Sequence, residues 1–213
     1  MVDLNLHQAR GRFLILAAVA TASGLLSAFG ARDGVVWCLE VLPVFVVGAV
    51  VWLRGWAPSG LLGTCLFLHA LVLIVGAHYT YAEVPAGRWV ADLLGQSRNP
   101  YDRLGHFMQG LVPALIMREA VLRTATVASF RNASFAGVLF AGTFTAAYEI
   151  FEWFAAVALG QGADAFLGTQ GFVWDTQADM LCALVGAAFG MVVLALPHRR
   201  SLSALDPRFS VLP

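Results

Sequence analysis

Apolar residues run along this chain in six long blocks, and most of the charge falls between them. The blocks cover residues 13–30, 35–53, 61–79, 104–122, 133–159 and 177–196. Each approaches the roughly 20 residues that a helix needs to cross a bilayer. Backbone groups in lipid must be satisfied within their own segment, which favours helices. No run of alternating polar and apolar residues reads as a barrel strand. The pattern therefore predicts an all-α, polytopic membrane protein of six spans, a single transmembrane domain over residues 1–213.

Arginine placement orients the spans. With the N-terminus in the cytoplasm, Arg10, Arg12, Arg54, Arg118, Arg123, Arg131, Arg199, Arg200 and Arg208 lie inside, while Arg32, Arg88, Arg98 and Arg103 lie outside. Both termini are then cytoplasmic. The loops at 54–60 and 123–132 are short and basic, and the two long connections, 80–103 and 160–176, face outward. Residues 88–94 read as a short amphipathic helix lying on the membrane surface, with Trp89 at interface depth. The second long connection is rich in glycine, which points to turns or a close approach of backbone.

Composition agrees. Hydrophobic residues make up 59% of the chain and charged residues 12%, with a mean hydropathy of +0.75. A soluble domain carries roughly 25% charge. Formal net charge is zero and no basic run occurs, which argues against nucleic acid as a partner and leaves membrane lipid. Cys38, Cys65 and Cys182 are isolated in apolar runs, so packing thiols are expected rather than disulfides. The first block follows Arg10 and Arg12 as a signal peptide would, with residues 28–31 the alternative cleavage region. Its length favours a retained span.

The chemistry lies in ionisable residues within or beside the apolar blocks. Asp102 and His106, Glu149 and Glu152, and Asp175 and Asp179 are paired at helical spacing, and in this topology all three pairs fall toward the outer side. Capping competes with function at two of them. Asn99, Pro100 and Asp102 suit a helix start, and Thr176 with Asp179 has capping-box spacing. Glu149 and Glu152 have no basic neighbour in their own span. A lone acid at a span centre costs about 2.5–3.5 kcal/mol. Arg103, a protonated histidine, water or a metal ion must compensate them. Imidazole beside carboxylates suits zinc, manganese or iron, so a divalent metal is the candidate cofactor. The Glu-x-x-His spacing of di-iron bundles is absent.

The same residues carry a resemblance. Residues 101–107 (Tyr-Asp-Arg-Leu-Gly-His-Phe), Arg118-Glu119, residues 148–153 (Tyr-Glu-Ile-Phe-Glu-Trp), residues 166–171 and residues 174–180 together resemble the YjdF family of bacterial inner-membrane proteins, most densely over 99–186. The likeness implies an inner-membrane location and a multi-pass topology, but no reaction. A looser similarity to VanZ-like membrane proteins matches Asp102, His106, Glu149 or Glu152, and Asp179, and implies by analogy a role in the cell envelope.

The expected function is an outward-facing acidic and histidine pocket that binds or processes an envelope lipid or lipid-linked group. Glu149, Glu152 and Asp175 are its candidate catalytic groups, and Asp102, His106 and Asp179 its candidate metal ligands. Tyr101, Arg103, Gln170 and Trp174 are the candidate substrate contacts. Whether this amounts to an enzyme stays open. A proton- or cation-coupled transporter is the alternative, with Glu40 and His69 as inward steps. It ranks second because the cytoplasmic halves of the last three spans read as dry. A membrane scaffold is the third reading.

Overall fold

The computed structural model describes residues 2–159 and 169–212. It is 81% helix, with no strand among the described residues. The elements are α1 (Val2–Ser27), α2 (Gly34–Leu53), α3 (Gly60–Tyr79), a 3-10 turn (Tyr81–Glu83), α4 (Pro85–Leu93), α5 (Tyr101–Arg123), α6 (Phe130–Leu159), α7 (Asp175–Val192), α8 (Ala195–Leu205) and a closing 3-10 turn (Pro207–Ser210).

Local chemistry sets several starts. Asp33 Oδ1 accepts from the amides of Val35 and Val36 at 2.8 and 3.0 Å and caps α2. Ser59 Oγ caps α3 through Leu62 N. Pro85 opens α4, the helix expected over 88–94, whose Trp89 and Leu93 are exposed.

α1, α2, α3 and α6 are each long and apolar enough to cross a membrane. α7 and α8 pass that test together as one span bent by 59°. The sixth block therefore ends in a break rather than running straight. Pro197, in the first turn of α8, has no amide hydrogen to continue the ladder, and Leu194 N reaches back to Phe189 O. The fourth block, inside α5, is not among them, its apolar run being diluted by His106, Gln109, Arg118 and Glu119, with Asp102, Arg103 and Arg123 at the helix ends. Asp102, Arg118 and Glu119 are nonetheless buried.

α5 is the axis of the fold, packed by α3, α6 and α7. Its middle contributes Met108, Leu111, Val112, Ala114 and Leu115 to the main core. The approach of α5 to α7 is backbone to backbone. A Cβ on Gly110 would sit 1.7 Å from Ala183 O, and one on Gly186 would sit 1.9 Å from Phe107 O. Small residues at a helix interface are the usual device for such contact in lipid.

One end of α5 is not dry, contrary to the sequence expectation. Arg118 is fully buried and donates to His198 Nδ1 at 3.0 Å, to Gly190 O at 3.2 Å and to Met191 O at 3.4 Å. It thereby satisfies carbonyls that the break after α7 leaves open. Arginine only donates, so His198 accepts at Nδ1 and carries its hydrogen on Nε2, which lies 3.2 Å from Glu119 Oε2. Glu119 Oε1 also accepts from Ser59 N and from Arg123 at 3.0 and 2.9 Å. Residues early in α1 and late in α8 pack at this same end, where Ala9, Ala57 and Leu205 meet.

Candidate functional site: a buried carboxylate–histidine cluster

The other end of α5 holds the acids. Its first turns carry Asp102 and His106, α6 brings Glu149 and Glu152, and α7 brings Asp175 and Asp179. All six are buried. Helical spacing puts each pair on one face, and the close contact of α5 with α7 turns those faces together.

His106 is the centre of the group. Its Nε2 lies 3.6 Å from Asp102 Oδ1 and its Nδ1 lies 3.6 Å from Glu149 Oε1. Two sets of side chains have ligand atoms within 4.8 Å of one another: Asp102, His106 and Asp179, and His106, Glu149 and Glu152. Among the described residues, buried His106 Nδ1, Glu149 Oε1 and Asp179 Oδ1 have no hydrogen-bond partner, while Asp175 Oδ1 has its ion pair with Arg98. Buried polar atoms are normally satisfied, so three such atoms in one cluster call for a ligand, an ion or water.

Among the described residues arginine reaches the acids through Arg98 rather than Arg103, and it pairs with the aspartates rather than with Glu149 or Glu152. Arg98 sits in the turn before α5 and pairs with Asp102 at 3.1 Å and with Asp175. It also donates to Thr169 O at 3.0 Å, tying that loop to α5. Burial works against its charge, but Asp175 and Asp102 outweigh burial and hold the guanidinium above its ordinary value. No basic side chain pairs with Glu152 among the described residues.

The capping readings fare unevenly. Asn99 Oδ1 does accept from Tyr101 N at 3.0 Å, while its amide group holds Ala82 O and Val84 O. The box expected of Thr176 and Asp179 does not form. Trp174 occupies the cap position before α7 with no side-chain cap, Thr176 already lies within the helix, and Asp179 is turned into the cluster.

Three residues join the site that their spans did not announce. Glu40 of α2 is buried and accepts from the Tyr81 hydroxyl at 3.1 Å. Glu40, Tyr81 and Tyr148 line a void with Asp102, His106 and Glu152. Its volume is about 10 Å³, close to the least that one water or ion needs. Glu40, expected as an inward step of a relay, instead meets the acidic cluster through Tyr81, which lies in a connection.

The candidate substrate contacts divide. Arg103 and Gln170 line a separate open cleft. The Gln170 amide is committed to the backbone of Asn99, accepting from N at 2.8 Å and donating to O at 3.0 Å. Tyr101 donates to Val72 O at 3.1 Å and packs near Tyr81, away from that cleft. Trp174 is exposed, as Trp153 is. Both fit an aromatic belt better than a pocket. The glycine-rich stretch up to Gly168 lies outside the described residues.

The chain matches, over residues 12–200, the family described as "Predicted membrane protein (DUF2238)". It belongs to this DUF2238 family. Inner membrane protein YjdF of Escherichia coli (strain K12) is 48% identical over 180 residues, covering 84% of this chain and 86% of that protein. No solved structure matches. The DUF2238 chain is thus a multi-pass protein of the bacterial inner membrane, and the polar clusters at both ends of α5 fall within the matched residues.

Proposed function

We propose that the outer cluster is a divalent-metal centre, with His106 Nδ1, Glu149 and Glu152 as ligands, and that it binds or processes an envelope lipid or lipid-linked group. The observation that carries this reading is His106 Nδ1, without a hydrogen-bond partner among the described residues, facing two buried glutamates that no described arginine pairs with. Asp102 would then orient the imidazole from Nε2, the carboxylate–histidine–metal arrangement common around bound ions. The alternative triad of Asp102, His106 and Asp179 has equal reach, but Arg98 already balances the charge of Asp102. Asp179 and Asp175 stay close enough to serve as acid–base groups. A metal held there would polarise a bound oxygen or activate water.

The reading includes six crossings with both termini in the cytoplasm. α5 is 23 residues long, which reaches about 34 Å, and its charges are paired or packed rather than facing lipid. Nine of the 13 arginines lie at or near the end of the bundle that holds Ala9 and Leu205. A proton relay gains polar groups at that end from Arg118, His198 and Glu119. Between the two clusters, however, α5 presents Leu111, Val112, Ala114 and Leu115 to a buried apolar core.

Elemental analysis of the purified protein tests the centre. About one zinc or manganese per chain is expected, falling below a tenth of that in Glu152→Gln and His106→Ala of unchanged membrane abundance. Wild-type protein free of metal, or variants that keep it, would remove the proposal.

A further inference from the structure

Beside the buried acids, on the outer end, lies an open cleft of about 490 Å³. Gln96, Ser97, Arg98, Arg103, Gln170 and Phe172 are among its walls. No acid lines it among the described residues, although the acidic cluster begins one layer below, at Asp102 and Asp175.

Arg103 is the informative wall residue. It stands in the first turn of α5, where a positive charge opposes the helix dipole. It makes no ion pair or hydrogen bond among the described residues, and its Nε is buried without a partner. Its recorded contact is with the Phe172 ring, 5.8 Å from the guanidinium carbon. Arg98 lies 5.6 Å from the same ring. Two guanidinium groups on one ring repel unless both are balanced. Asp102 and Asp175 balance Arg98, and nothing described balances Arg103.

We propose that this cleft binds the phosphate of a phosphate-bearing ligand, with Arg103 as the anchor. A guanidinium fork matches two phosphate oxygens at once. Ser97 and Gln96 add donors around a volume larger than a carboxylate would fill. The cleft opens where the headgroup layer lies in the proposed topology, beside the groups assigned above to a metal. The inference rests on that reading for its biological sense and names the substrate class that a cleft beside that centre would hold. The phosphate could arrive on a lipid or as a free anion.

The test uses full-length protein in dodecyl maltoside, a detergent without phosphate. Inorganic pyrophosphate, short-chain phosphatidylglycerol and the matching short-chain diacylglycerol are titrated by calorimetry. At least one phosphate compound should bind and the diacylglycerol should not. Phosphatidylglycerol alone binding assigns a lipid headgroup; pyrophosphate binding equally well assigns a free anion. Arg103→Gln should weaken binding about tenfold or more, and Arg103→Lys should retain part of it. Phosphate binding lost with Arg103 in a protein that carries no metal would sink the metal centre and keep this cleft. Binding by Arg103→Gln at wild-type strength, or no phosphate compound binding to wild type, would overturn the cleft itself.

Discussion

Arg98 and Arg103 flank the same helix start and play opposite parts. Arg98 is drawn into the acids and pairs with Asp102 and Asp175, while Arg103 lines the cleft with the Phe172 ring beneath it and no ion pair among the described residues. Spacing alone does not separate them. Arg98 and Asp102 are a turn apart, and that was the available hint. Asp102 consequently has two tasks, accepting from Arg98 and steadying His106. Asp102→Asn should weaken zinc binding about 10–100-fold in a competition titration, since losing an outer-shell carboxylate has that effect. Unchanged affinity would mean that Asp102 does not orient the imidazole. At the opposite end, Arg118→Met leaves Gly190 O, Met191 O and the His198–Glu119 pair without their donor. Breaking a buried charged network costs about 3–5 kcal/mol, so this variant should melt well below wild type and accumulate poorly in membranes. A melting point within a degree of wild type would contradict the clamp role.

Helix existence was the easiest level to read and helix geometry the hardest. The blocks at 35–53 and 61–79 lie within a residue of α2 and α3. α1 extends the first block to Val2, because its polar first turns continue the helix outside the apolar run. The break between α7 and α8 escaped because hydropathy averages over a proline without registering the lost amide. His198 escaped with it, since its partners Arg118 and Glu119 are some 80 residues away in the chain. The three acid pairs were legible as pairs because spacing fixes a shared face. That the faces converge depends on Gly110 and Gly186 letting α5 and α7 touch. Gly186→Ala should force these helices apart and cost about 1–3 kcal/mol or more. Both thermal stability and metal occupancy should fall together. Occupancy unchanged beside a lowered melting point would separate the cluster from that contact.

For the molecule as a whole, one helix carries a polar cluster at each end and an apolar layer between them. The cluster around Arg118, His198 and Glu119 has its hydrogen bonds filled and reads as architecture. Among the described residues the acidic cluster has open atoms on His106, Glu149 and Asp179 and reads as a site. The DUF2238 match spans both. The topology proposed from the arginines is testable: in intact cells, an impermeant maleimide should label Ser97→Cys at the cleft and should not label Thr126→Cys in the loop after α5. The reverse pattern would put the acidic site in the cytoplasm and remove an envelope substrate. The most direct single measurement is zinc-edge X-ray absorption on the full-length protein. The account expects a first shell of nitrogen and oxygen at about 2.0–2.2 Å with imidazole scattering that His106→Ala abolishes. A shell without imidazole, or one dominated by sulfur, would contradict it.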